Sequence, residues 1–121
     1  IMKKVLITRK LIEENFINIQ NKFHVIHNQS DKNLSDNDII KMSIGCDGIL
    51  TFPNNNIHAD LLNKLSDSIK IIANYAVGFG NIDIDTANKK KILVTNTPEV
   101  LTEATAEVSI LLLLGASRRA Y

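Results

Sequence analysis

Apolar positions follow two rhythms that alternate along the chain. Residues 4–8, 48–52, 70–75 and 92–96 are short, continuous, β-branched runs bounded by charge, glycine or asparagine, which predicts buried strands. Residues 23–27 alternate instead, which predicts a strand buried on one side. Between these runs the spacing is helical. Leu11, Ile12, Phe16, Ile19 and Phe23 predict an amphipathic helix over about 10–21. Shorter helices are expected at 38–42, at 57–65 through Leu61, Leu62 and Leu65, and at 84–90. A last, long helix runs to Arg119, with Thr102 as its expected N-cap, Glu103 in its first turn and two arginines at its end.

Strands that alternate with helices imply a parallel sheet covered on both faces. The fold class expected is α/β: a flavodoxin-like doubly wound parallel sheet of about five strands, plus a long C-terminal helix of the interdomain type. The expected division is a substrate-type domain over 1–100 and an interdomain or dimerisation helix over 101–121. Ligands of such sheets sit beyond the carboxyl ends of the strands, which here means Thr8 and Arg9, 51–54, 76–80 and 96–98.

Composition narrows the function. A chain of 121 residues is the length of one domain, and 45% hydrophobic with 22% charged residues is ordinary for a soluble globular protein. The net charge of +1 is spread along the chain, so no electrostatic footprint for nucleic acid or an anionic membrane is present. The longest apolar stretch, 110–114, falls far short of the roughly 20 residues that span a bilayer. The first apolar run is too short for a signal peptide, and a lone cysteine suits a reducing compartment, so a cytoplasmic location is expected. Ile1, ahead of Met2, is read as an appended residue.

Candidate chemistry is sparse. His24 and His27, three apart on a strand, point to opposite faces, so no metal site is expected. His58, near a helix start, reads as a surface residue. Cys46 has no cationic neighbour in sequence and reads as an inert thiol. The lysines at 89–91 read as a solvated helix end. The loop after the first strand, Thr8-Arg9-Lys10-Leu11, has neither the glycines of a flavin phosphate loop nor the acidic residues of a receiver domain.

Two linked segments carry more. Ala73-Asn74-Tyr75-Ala76-Val77-Gly78-Phe79-Gly80-Asn81-Ile82-Asp83 resembles the substrate loop of D-isomer-specific 2-hydroxyacid dehydrogenases. Val94-Thr95-Asn96-Thr97-Pro98-Glu99-Val100-Leu101-Thr102-Glu103-Ala104-Thr105-Ala106-Glu107 resembles the lead into their interdomain helix, and 111–119 the end of that helix. The 100–106 stretch is closer to the glyoxylate and hydroxypyruvate reductase branch than to phosphoglycerate dehydrogenases. The resemblance implies NAD- or NADP-dependent reduction of a small 2-oxo acid. It implies substrate contacts from Val77, Gly78, Phe52 and Pro53, and a hydroxyl, Thr105, near the nicotinamide side of the cofactor. Pro53 stands where an aliphatic residue is usual, and Gly80 where an aspartate is usual.

The family's catalytic arginine and histidine–glutamate pair match no position here, and no Gly-x-Gly-x-x-Gly fingerprint is present. The expected site therefore has no catalytic residue and no dinucleotide cradle in this chain, which is expected to be inactive alone. The alternatives are a non-catalytic small-carboxylate-binding module, or a truncated remnant. In the family the last helix packs between domains and against a second subunit, so a homodimer through this apolar helix is expected.

Overall fold

The computed structural model describes residues 1–120. Ten elements alternate as expected: β1 (Lys4–Ile7), α1 (Glu13–Gln20), β2 (His24–His27), α2 (Asp36–Met42), β3 (Gly48–Thr51), α3 (Ala59–Lys64), β4 (Ile71–Asn74), α4 (Ile84–Lys89), β5 (Leu93–Thr95) and α5 (Thr102–Arg118). The five strands form one parallel sheet in the order β2-β1-β3-β4-β5, the doubly wound order of the flavodoxin type.

The order decides where the helices lie. Crossovers between parallel strands are right-handed, and the chain steps one way from β1 to β2 and the opposite way at each later step. Helix α1 therefore covers one face, while α2, α3 and α4 share the other. The main core fills the second face: Leu6, Ile49 and Ile72 point from the sheet into Ile39, Leu61, Leu62 and Ala87, all nearly inaccessible. The α1 face is thinner. Phe16 stacks on His27 at 4.5 Å. Beside α1 an apolar groove lined by Ile19, Phe23, Val5, Leu50, Ile71 and Ala73 stays open.

Several boundaries differ from expectation. Helix α1 begins at Glu13, not near residue 10, because Leu11 turns into the core and Ile12, the extended N-cap residue, offers no capping side chain. Helix α2 begins two residues earlier than expected, where Ser35 and Asp38 form a reciprocal capping box. Ile57 is not helical. It is buried and bridges in parallel to Ile82. The residue before α5 is Leu101, without a side-chain cap, so Thr102 is the first helical residue and not the cap. Arg119 stands beyond the helix as a left-handed C-cap, leaving Arg118 alone in the last turn. Lys89 ends α4 and Lys90 caps it.

Helix α5 is unpartnered. None of its residues is buried, and Leu111, Leu112 and Leu113 are 67%, 66% and 69% exposed. No helix among the described residues is long and apolar enough to cross a membrane.

Candidate functional site

The carboxyl ends of β1, β3 and β4 carry polar residues that are buried, which a domain tolerates only when every polar atom finds a partner. Thr8 and Thr51 both donate to Asn55 Oδ1, at 2.7 Å and 3.3 Å. Asn55 is thereby held under the loop that follows β3. Asn81 Nδ2 donates to the carbonyls of Phe52 and Asn55 at 3.2 Å and 3.0 Å and shares a contact with Asn74 Oδ1. Asn74, 2% exposed at the end of β4, returns a bond to Asn81 Oδ1 and donates to the Gly78 carbonyl, both at 2.9 Å. No buried side-chain nitrogen or oxygen among the described residues lacks a partner.

This network ties the loop after β3 to the loop after β4, and β5 joins it. Asn96 Nδ2 donates to the Val77 carbonyl at 2.7 Å, and Thr97 N–H to the Ala76 carbonyl at 2.9 Å. No acceptor among the described residues takes the N–H of Val77, Gly78 or Phe79. Gly78 has a φ outside the left-handed region, and a methyl group there would meet no atom within 4 Å. Neither backbone conformation nor crowding within the domain requires glycine there; the space in front of it is open.

Phe52 and Tyr75 flank the loop, their rings 5.3 Å apart and tilted by 44°. Phe52, Val77 and Gly78 are thus gathered at one end of the sheet, with Pro53 exposed beside Phe52. Thr105 is not joined to them. It is exposed on α5, where its carbonyl accepts from Ser109 Oγ. Asn55, Asn74, Asn81 and Tyr75 also belong to the site. Asn74 and Tyr75 end the run that predicts β4 and Asn81 lies in the quoted loop, but no sequence rule pairs them, and Asn55, close to Pro53, reads as turn chemistry.

The other candidates are structural. His58 caps α3: Nδ1 accepts from Leu61 N–H at 3.4 Å, so the proton sits on Nε2, 2.8 Å from Asp36. It therefore straps α3 to α2 and is more than a surface residue. His27 Nε2 accepts from Leu11 N–H, while His24 is exposed. No cluster of metal-ligating side chains occurs among the described residues. Cys46 is fully buried, and burial pushes its thiol pKa up, outweighing Lys4, a cation that is near in space though not adjacent in sequence.

The family model of the D-isomer specific 2-hydroxyacid dehydrogenase catalytic domain matches residues 5–120. The chain belongs to this family. Among curated relatives, glyoxylate reductase of Thermococcus litoralis is 41% identical over 96% of the chain and 35% of its own length. Glycerate dehydrogenase of Hyphomicrobium methylovorum is 34% identical over 98% of the chain and 37% of its own length. A solved structure from Polaromonas sp. JS6 66, assigned to the NAD-binding D-isomer specific 2-hydroxyacid dehydrogenases, superposes with a TM-score of 0.90 at 30% identity. It covers 100% of this chain and 38% of that one. The chain thus spans about a third of the 2-hydroxyacid dehydrogenases it matches. The one Gly-x-Gly between a strand and a helix among the described residues, Gly78-Phe79-Gly80, is followed by Asp83 where a dinucleotide fingerprint has its third glycine, so it does not fit that pattern.

Proposed function

We propose that this chain is the substrate-binding part of a 2-oxo acid reductase of the glyoxylate or hydroxypyruvate type. The observation that carries the reading is the row of free N–H groups at Val77, Gly78 and Phe79, with open space before Gly78. Consecutive backbone N–H groups suit an anion, and glycine lets an anion come close. Phe52 and Tyr75 form an apolar wall beside the row, with Pro53 at its rim. A small carboxylate with a short substituent matches such a site.

Hydride and proton transfer, and the hold on NAD or NADP, fall in this reading to residues outside the 121. In this reading the Thr105 hydroxyl, by its match to the family segment, serves the nicotinamide side. The chain alone binds but does not turn over, and its location is cytoplasmic. Its uncovered helix supports self-association as a two-fold dimer. Several half-exposed leucines and isoleucines amount to a few hundred Å² of apolar surface, or several kcal/mol at about 25 cal/mol per Å².

The test is a nuclear magnetic resonance titration of isotope-labelled chain with glyoxylate. Saturable shifts centred on Val77, Gly78 and Phe79 are expected. A spectrum unmoved there at high glyoxylate, or moved only elsewhere, overturns the reading.

A further inference from the structure

The direction of an N–H group is fixed by the carbonyl that shares its peptide plane. In a trans peptide the two point opposite ways, and no cis bond occurs among the described residues. Three successive carbonyls of the loop after β4 are each taken by a donor from the body of the domain. Ala76 O accepts from Thr97 N–H at 2.9 Å. Val77 O accepts from Asn96 Nδ2 at 2.7 Å, and Gly78 O from Asn74 Nδ2 at 2.9 Å. The N–H groups of Val77, Gly78 and Phe79, which belong to these same planes, must then face away from the body. Two of the three anchors are carboxamides, one from β4 and one from just beyond β5.

We infer that Asn96 and Asn74 are positioning residues for the carboxylate: by holding the Val77 and Gly78 carbonyls on the domain side, they turn the Gly78 and Phe79 N–H groups toward the ligand. This rests on the carboxylate reading of the loop given above. Toward the loop each asparagine acts as a donor to a carbonyl, although Asn74 Oδ1 also accepts from Asn81 Nδ2. Aspartate, which has the same shape but no N–H to give, is therefore as harmful as alanine. Without the anchor the peptide plane is free to rotate, and an aimed charge-assisted bond is lost.

Asn96 is the better residue to vary, because it is half-buried whereas Asn74 is enclosed and bonded to Asn81. Asn96→Ala and Asn96→Asp are titrated with glyoxylate beside the natural chain. Expected is an affinity weaker by about tenfold or more in both variants. The Gly78 amide signal should already be displaced before ligand is added, while the signals of β1 and β3 stay in place. The through-bond coupling between Asn96 Nδ2 and the Val77 carbonyl carbon, present in the natural chain, should be missing in both. If the natural chain binds and both variants bind within about twofold of it, the inference is wrong and the carboxylate reading survives. If the natural chain shows no saturable shift at 77–79, the carboxylate reading fails and the inference goes with it.

Discussion

Two glycines should respond in opposite ways to the same added methyl group. Gly48, in β3, lies opposite Ile71, and a Cβ there would stand 2.8 Å from Ile71 Cγ2 and 3.3 Å from its carbonyl oxygen. The first contact must yield, and a β-branched side chain has few rotamers to yield into. Overpacking of this kind costs about 1–3 kcal/mol. The narrower unfolded ensemble of alanine returns about 0.4–1 kcal/mol. Gly48→Ala should therefore destabilise by about 1–2 kcal/mol, which for a domain of this size lowers the melting temperature by about 4–8 °C.

Gly78→Ala meets no atom within 4 Å. The entropy term then acts alone, and the melting temperature should hold or rise by up to about 4 °C. Its cost appears elsewhere: the methyl group fills the space before the free N–H row, so glyoxylate affinity should fall by about tenfold or more. Calorimetry and the glyoxylate titration, run on both variants, separate the two effects. A Gly78→Ala chain that melts as early as Gly48→Ala, or binds like the natural chain, would refute the reasoning.

Other outcomes follow from the same contacts. Ser35→Ala removes half of a capping box and should cost about 1 kcal/mol, read as a denaturant midpoint shift without a change in slope. The carboxyls of Asp38, Asp47 and Asp83 are held below the usual carboxylate range. Asp38 is lowered by bonds from the side chain and backbone of Ser35, Asp47 by bonds from Lys4 N–H and the Lys3 side chain, and Asp83 by bonds from Thr86. Their contribution is complete above the ordinary value of about 3.9 and fades as pH falls through the lowered values. Replacing all three by asparagine should flatten the loss of stability as pH falls below about 4, seen by circular dichroism. Light scattering at micromolar concentration should give a dimer, and changing Leu112 and Leu113 to glutamate should shift it toward monomer. A clean monomer in the natural chain would remove the case for self-association.

The sheet was legible because buried parallel strands are written as short, unbroken apolar runs. Leu6-Ile7, Ile49-Leu50 and Ile71-Ile72 stand out against charged or glycine borders, and handedness then leaves few arrangements. Boundaries were less legible. Leu11 and Ile12 extend the helical spacing of α1, yet one is core and the other precedes the helix. The polar site was legible only at its rim. Val77, Gly78 and Phe52 could be matched to a known loop, but the network beneath them joins Thr8 to Asn55 and Phe52 to Asn81, pairs far apart in sequence. An asparagine bound to fill a buried hydrogen-bond network has the same letter as one in an exposed turn, so only the fold tells them apart.

The central claim, that these residues are the substrate half of a 2-oxo acid reductase, is tested most directly by grafting. The chain replaces the matching third of Thermococcus litoralis glyoxylate reductase, and nicotinamide absorbance is followed with glyoxylate and NADH or NADPH. The graft should oxidise the cofactor in proportion to protein, and the 121-residue chain alone should not. A folded graft without activity, or turnover by the chain alone that survives further purification, would contradict the account.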